Sequence, residues 1–334
     1  MRASLRCWNY RRFIQGPKRP RPTGVAFDAS AVATLPVITA DRLTKHFAKD
    51  EVTIPSDKLV TKSQTWWKRA TQEIEWTLAD YDEIPDVKVA RLEQERELRL
   101  KQWQPGDPPV RQKRSTHGYN PKWLKPLPEV VMLGHTNAGK LLILNALLPS
   151  KPLARVAKRP GYTKTVNCYN IGNQLRVLDS PGYGEYGEEK QGQMVLEYLE
   201  RRQQCRKAYV LIDAKEGVLD FDYDILDHVA GLGVLVDVVF TKVDEVIYRH
   251  YWRQAKAMKG RHFLKRDLHQ MVKDTNTQII AHFQRLLTEG GIADINYPVN
   301  LIFTNSHTDS YVRREGGIAA LRADIYRACG LDTR

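Results

Sequence analysis

The chain has 334 residues, 52 of them Lys or Arg against 39 Asp or Glu, which gives a net charge of +13 and a pI near 9.5. Hydrophobic residues make up 42%, enough for a core, which excludes a wholly disordered chain, and no run of about 18 apolar residues marks a transmembrane helix. The basic excess suits nucleic acid or an anionic membrane surface, or else a solvated basic surface; Cys7, Cys168, Cys205 and Cys329 form no CxxC pair, which speaks against a disulfide framework or a zinc site.

In chain order, the first 27 residues hold Arg2, Arg6, Arg11, Arg12, Lys18, Arg19 and Arg21, and no acid precedes Asp28. That is the composition of a mitochondrial transit peptide, or of a basic tail that contacts RNA. Pro17, Pro20 and Pro22 keep this start extended. Residues 57–80 read as helical, with Trp66, Trp67, Ile74 and Trp76 as apolar anchors. Residues 87–103 read as a highly charged helix with Glu/Arg and Glu/Lys pairs and a thin apolar stripe, suited to packing on a partner. QPGDPP at 104–109 then breaks the chain. Residues 1–126 are expected to form a basic N-terminal extension, partly helical and partly irregular.

From residue 127 the pattern changes. Strands are predicted at 129–133, 166–171, 174–180, 208–213, 235–242 and 300–304. Helices are predicted from 139, near 189–205, near 222–232, over a basic stretch at 247–288, and over 317–329. Gly172-Asn173 reads as a hairpin turn. The other strands are joined through helices, which implies parallel pairing with right-handed crossovers. The expected fold is a doubly wound, mostly parallel α/β sheet with one antiparallel pair. Ligands in such folds sit at the carboxyl ends of the strands.

Five motifs fall at those ends. Gly134-His135-Thr136-Asn137-Ala138-Gly139-Lys140 fills GxxxxGK, the loop whose backbone N–H groups cradle phosphates while its lysine reaches the outer ones. The Ser or Thr that usually follows, a ligand of Mg²⁺, is replaced by Leu141. Thr163, in Arg159-Pro160-Gly161-Tyr162-Thr163, can bring a hydroxyl to Mg²⁺ and the γ-phosphate from a mobile loop; Thr165 is the other candidate. Asp179-Ser180-Pro181-Gly182 offers a carboxylate to Mg²⁺ and a glycine N–H to a γ-phosphate. Thr241-Lys242-Val243-Asp244 offers a carboxylate for the guanine N1–H and N2–H₂, donors that adenine lacks, and a lysine stem to lie over the base. Thr304-Asn305-Ser306 are small polar residues suited to the guanine O6. Their order at successive strand ends identifies a guanine-nucleotide fold; TKVD and the lack of a second substrate lid argue against a P-loop kinase or ATPase.

These residues carry a family resemblance. GHTNAGK, Leu153-Ala154-Arg155 with Pro160-Gly161-Tyr162-Thr163, Asp179-Ser180-Pro181-Gly182-Tyr183-Gly184, Glu197-Tyr198-Leu199-Glu200-Arg201-Arg202, TKVD and Phe303-Thr304-Asn305 resemble the corresponding segments of the EngB (YihA-type) ribosome-biogenesis GTPases, over roughly 127–330. The resemblance implies a P-loop GTPase fold of the Ras-like, TrmE/Era type, and a factor acting late in large-ribosomal-subunit assembly. With the N-terminus it resembles a mitochondrial member, placed in the matrix. It implies GTP or GDP contacts for Gly134, His135, Thr136, Asn137, Ala138, Gly139, Lys140, Leu141, Thr241, Lys242, Asp244, Thr304, Asn305 and Ser306. It also implies catalytic roles for Lys140, Thr163 and Gly182, and metal-side roles for Thr163 and Asp179. Asn137 stands where related GTPases carry an Asn that helps hold a potassium ion; a plain loop-stabilising role is the alternative.

Three departures matter. Leu141 weakens the expected Mg²⁺ site. Tyr183 follows the DSPG, and the family also lacks a water-orienting Gln at that point, so hydrolysis is expected to be slow without an activator. The extension and an insert at about 245–296 exceed the family core. Residues 245–287 hold nine Lys or Arg against Glu245, Asp267 and Asp274, interleaved with Tyr248, Tyr251, Trp252, His262 and Phe263. That composition suits large-subunit rRNA, or else aromatics that pack on the sheet. The expected partners are that rRNA with ribosomal or assembly proteins, and no obligate homo-oligomer. Two functions follow: a GTP-dependent docking factor, or a scaffold that does not hydrolyse GTP.

Overall fold

The parallel core arises from strands that are apolar on both faces, as covered parallel strands must be. The computed structural model describes residues 36–49, 54–110, 115–148, 165–183, 189–257, 265–309, 311–312 and 315–333, with only the backbone of 189–191 and 265–266. The first 27 residues and the Leu153–Thr163 segment lie outside these, as do His262, Phe263 and Gly184. Seven strands form one sheet: β1 Gln72–Leu78, β2 Glu129–Gly134, β3 Val166–Ile171, β4 Leu175–Asp179, β5 Cys205–Asp213, β6 Leu235–Thr241 and β7 Leu301–Phe303. Their order is β1-β3-β4-β2-β5-β6-β7. Pairing is parallel from β4 to β7 and antiparallel in β1–β3 and β3–β4.

Helices cover both faces. On one lie α2 (Asp57–Arg69), α4 (Lys140–Leu147) and α9 (Ile318–Ala328), around Trp67, Leu144 and Ile325. On the other lie α1 (Ala40–His46), α5 (Glu189–Arg201), α6 (Asp220–Gly231), α7 (Val243–Ala257) and α8 (Lys265–Glu289), around Leu43, Tyr198, Leu226, Tyr251 and Phe283. The β3–β4 turn is as expected. Gly172 and Asn173 have φ of 58° and 54°, and the Gln174 N–H donates to the Ile171 carbonyl at 3.1 Å. Two successive positive φ values define the type I′ turn that matches strand twist.

The expected helix over 57–80 ends at Arg69, and the chain continues as β1. Ile74, Trp76 and Leu78 alternate with Glu73, Glu75 and Thr77, the two-residue period of a strand. A bulge between Ile74 and Trp76 turns Glu75 inward and leaves Ile74 exposed. The sheet therefore has two antiparallel pairs. The predicted 189–205 helix stops at Arg201, and β5 begins at Cys205. The long basic helical stretch is two helices, α7 and α8. The charged helix α3 (Pro85–Gln102) leaves Leu98, Leu100 and nearby Trp103 exposed.

Glu75 faces inward because it meets Arg176 of β4. Arg176 is fully buried; its Nε and Nη2 donate to Glu75 at 2.9 and 2.7 Å, and its Nη1 to Glu129 at 3.2 Å. It also donates to the carbonyls of Lys125 at 2.9 Å and Trp123 at 3.1 Å. Glu129, at the start of β2, accepts in addition from Tyr198 at 2.8 Å and from Arg202 at 2.8 and 2.6 Å. Arg202 reaches on to Asp86 of α3 at 2.8 Å. Every member is charge-paired, the condition under which burial of ions is tolerable. Replacing Arg176 by Met should strand Glu75 and Glu129 and lower unfolding free energy by about 3–5 kcal/mol in urea titration.

Candidate functional site

The phosphate loop runs from the end of β2 to the first turn of α4. Asn137 and Gly139 have φ of 72° and 84°, which curls the loop so that its amides face inward. A Cβ on Gly134 would lie 2.7 Å from the Leu211 carbonyl oxygen, so β5 packs too closely for any other residue. The TKVD segment holds the loop from beneath. Thr241 Oγ1 donates to the Ala138 carbonyl at 2.7 Å, and Lys242 Nζ donates to the Asn137 carbonyl at 2.8 Å and to Asp213 at 2.6 Å. Lys242 itself has φ of 55°, a strained value for a lysine, which aims its side chain back over the loop.

Lys140 is buried, with its Nζ 2.6 Å from the Gly134 carbonyl and 3.1 Å from that of His135. Burial pushes its pKa down to about 8, against the opposing pull of Asp179 and Asp222. Leu141 is half-buried and packs on the apolar cluster beneath α4, so it brings no oxygen to the site.

Asp179 ends β4 with 1% exposure. Burial pushes its pKa up to about 6, against Lys140 and a hydrogen bond from Asn167. Thr77 of β1 donates to Asn167 Oδ1 at 3.0 Å, so the N-terminal extension helps orient the amide beside Asp179. Asp179 Oδ1 is buried without a hydrogen-bond partner, the kind of orphan that a cation or its water shell satisfies. That oxygen fits Mg²⁺. Leu141 does not, and among the described residues no cluster of three His, Cys, Asp or Glu could hold a metal. Among the described residues, Asp179 is thus the side chain placed to serve an ion here.

Gly182 lies against the phosphate loop: a Cβ there would be 2.8 Å from Thr136 Oγ1 and 3.0 Å from Thr136 N. The next carbonyl, of Tyr183, accepts from the Thr136 N–H at 3.1 Å. The Tyr183 side chain turns away and its OH donates to Asp222 Oδ1 of α6 at 2.6 Å. Asp222 Oδ2 in turn accepts from the Leu219 N–H at 2.9 Å. The side chain after Gly182 is thus committed to α6.

At the far end, Asp244 is buried in the first turn of α7. Burial foremost, then Glu245 and Asp309, push its pKa up to about 6, and His307 opposes them. Thr304 is buried, its Oγ1 2.9 Å from the Phe240 carbonyl, and its own carbonyl accepts from the Val243 N–H at 3.3 Å. Asn305 pairs through its backbone with Gly316 at 3.1 Å, and Ser306 follows, half-exposed. The extension braces this loop as well: Thr44 Oγ1 accepts from the Phe303 N–H at 2.9 Å, and Asp41 from the Gly317 N–H at 3.0 Å.

The fold thus gathers the phosphate loop, Asp179, Gly182, Thr241, Lys242, Asp244, Thr304, Asn305 and Ser306 at one end of the sheet; Thr163 lies outside the described residues. Sequence reasoning missed Asp213, Asp222, Thr77, Asn167, Asp41 and Thr44, which act on that set by contact across the fold. Of the two readings of the insert's aromatics, packing holds for Tyr251 and Tyr248. Tyr251 is buried, stacked on Tyr311 at 5.2 Å and bonded to Asn276 at 2.7 Å, and Tyr248 packs on Tyr311 at 5.7 Å. Trp252 is half-exposed, with Lys256 Nζ 5.2 Å from its ring.

A phosphate loop on β2, an aspartate ending β4 and a T-K-x-D segment ending β6 define a P-loop GTPase fold. Residues 129–242 match the family model described as 50S ribosome-binding GTPase. The chain is 32% identical over 284 residues to MIOREX complex component 8 of Saccharomyces cerevisiae, covering 83% of this chain and 76% of that protein. It is 36% identical over 138 residues to a probable GTP-binding protein EngB of Streptococcus mutans, covering 40% of this chain and 70% of that one. A solved probable GTP-binding protein EngB aligns with a TM-score of 0.38 and 15% identity, over 61% of this chain and 99% of that one. The chain belongs to the EngB family of GTP-binding proteins.

With Lys140 read as the phosphate ligand and Asp244 as the guanine ligand, their two shifts would set a pH window for nucleotide binding. Phosphate requires cationic Lys140, which loses its proton as pH rises through about 8. Guanine requires anionic Asp244, which gains one as pH falls through about 6. GTP affinity, measured with a fluorescent analogue in EDTA to remove linkage of the metal to Asp179, should be greatest between these values. It should fall about tenfold per unit beyond each limb.

Proposed function

We propose that this protein is a GTP-binding assembly factor of the mitochondrial large ribosomal subunit, which docks on its rRNA in a GTP-dependent manner in the matrix. The observation that carries the reading is the convergence of phosphate loop, Asp179, Gly182 and TKVD at the carboxyl ends of β2, β4 and β6 in an EngB-family chain. Support for the organelle comes from the Arg-rich, acid-free start of the sequence. Support for RNA comes from the charge of +13 and from Trp252 and Lys256 on the exposed side of the insert. No described helix is long and apolar enough to cross a membrane.

In this reading the loop amides and Lys140 hold the phosphates, Asp244 and Lys242 select guanine, and Thr304, Asn305 and Ser306 close on its O6. A γ-phosphate needs the space beside Thr136, so it parts the Tyr183 carbonyl from the Thr136 N–H and reorders the segment after Asp179. Mg²⁺, where bound, neutralises phosphate charge. Asp179 holds its water shell and Thr163 supplies a hydroxyl, while Leu141 leaves the site weaker than in a chain with serine there. Asn137 is exposed at the loop crest, open to a potassium ion on the phosphate side.

Two observations favour a second reading, a scaffold that holds GTP without hydrolysing it: Leu141 lacks a metal-ligating oxygen, and Tyr183 is bound to Asp222. Nucleotide released from natively purified protein separates the two. GDP means turnover survives Leu141; intact GTP near one per chain means hydrolysis is disabled or awaits an activator; an empty site that takes up no GTP overturns both. Leu141→Ser should strengthen Mg²⁺ binding at least about tenfold, read from the Mg²⁺ dependence of GTP affinity. Asp244→Asn should shift preference from GTP to XTP, and unchanged GTP selectivity would refute the guanine assignment.

A further inference from the structure

The end of the sheet opposite the nucleotide site carries a second feature. A hollow of about 630 Å³ lies between α2, the Gly172-Asn173 turn and α9, lined among others by Lys62, Thr65, Trp66, Arg69, Gln174 and Tyr326. Its size is that of a small-molecule pocket. Trp66 is half-exposed, and its ring meets Tyr326 edge-on at 5.4 Å. Gln174 fixes the indole by accepting from Trp66 Nε1 at 3.3 Å. The aromatic wall is therefore oriented before anything binds.

The helix that supplies this wall is a cationic track. At 100° per residue, Lys58, Lys62, Thr65, Trp66 and Arg69 share one face of α2, while Ser63 and Trp67 are buried on the other. Lys58 and Lys62 stand about 6 Å apart along the axis. Among the described residues no carboxylate pairs with Lys58, Lys68 or Arg69, and Asp57 is the one acid in α2. Lys62 gives a hydrogen bond to the Asp332 carbonyl at 3.1 Å and lies 5.8 Å from the Tyr326 ring centre.

We propose that this hollow binds one base of single-stranded RNA, stacked on Trp66, with the neighbouring phosphates on Lys58, Lys62 and Arg69. An aromatic platform beside a strip of cations is the chemistry of single-strand recognition, because every base has a π-face and every linkage a negative charge. The Thr61 and Thr65 hydroxyls at the rim donate within α2, to the Asp57 and Thr61 carbonyls at 2.9 and 3.0 Å, which leaves their lone pairs as acceptors for a base N–H. The inference rests on the rRNA-docking reading and adds a place to it, on the face opposite the α7–α8 insert. RNA could be held there while the nucleotide end stays open.

The test uses the full chain with GTP and a short single-stranded oligouridylate carrying 4-thiouridine. Irradiation should cross-link it to the peptide that contains Trp66. The exposed charge reversals Lys62→Glu and Arg69→Glu, made together, should weaken binding at least about fivefold and flatten the log–log salt dependence by about 0.7 for each lost phosphate contact. Trp66→Leu should weaken the oligonucleotide by a similar factor, with GTP affinity unchanged in both variants. RNA binding that persists unchanged in the charge-reversed chain, or cross-links confined to α7 and α8, overturns this site and leaves the docking reading standing. Equal affinity for a duplex of the same length overturns the base pocket. A wild-type chain that binds neither the oligonucleotide nor large-subunit rRNA overturns both.

Discussion

The fully buried guanidinium of Arg176 is the constraint on which much else depends. A lone charge in a sheet core is untenable, so its neighbours must supply anions and carbonyls. Glu75 comes from the N-terminal extension, Glu129 from the start of β2, and carbonyls from the 121–125 turn. Arg202 closes the cycle by pairing with Glu129 and Asp86. One network therefore fixes the edge strand, the root of the strand that carries the phosphate loop and the end of α5. The extension is less an appendage than a part of the sheet.

That attachment reaches the nucleotide end. β1 carries Thr77, which orients Asn167 toward Asp179, and α1 carries Asp41 and Thr44, which brace the 303–305 loop. Residues far ahead of the first GTPase motif thus touch both the metal side and the base side of the site. A family core with these contacts can be tuned from outside its motifs, because a shift in the extension changes the second neighbours of Asp179 and the backbone of Thr304 and Asn305 together.

The alternation of apolar runs with helical ones made the parallel strands legible, and the Gly172-Asn173 turn could be read from two residues because so few others tolerate two positive φ values. The motifs at 134 and 241 could be read because phosphate and guanine chemistry dictate residue types, whereas those at 179 and 304 drew their meaning from their place at strand ends in the same series. β1 was not plain. Trp66, Trp67 and Trp76 dominated that region and hid a two-residue period that only Glu75, buried against a distant arginine, makes sensible. Asp222 was invisible for a related reason: its partner Tyr183 lies 39 residues away and the pairing depends on the fold. Tyr251 looked available for RNA because helical spacing alone does not tell which face meets Tyr311 and Asn276.

Leu141 and Tyr183 bear on the same chemical question from two sides. A GTPase needs its metal held close and its attacking water oriented; Leu141 offers nothing to the first task, and Tyr183 stands where the family too carries no water-orienting Gln. The two differ in kind. Leu141 packs on the α4 cluster, so no rearrangement of the loop gives it an oxygen. The Tyr183 side chain is held by its hydrogen bond to Asp222 and by contact with His135, and its backbone bridges to the phosphate loop, all of which a move of the segment after Gly182 would break together. The first deficit is fixed in the covalent chain, whereas the second is conditional on conformation. A docked partner that draws Tyr183 off Asp222 could restore water positioning, but could not restore the missing metal ligand. In the proposed reading, turnover would lean on Asp179, Thr163, phosphate oxygens and water for the metal, and a partner that moves Tyr183 would set its timing.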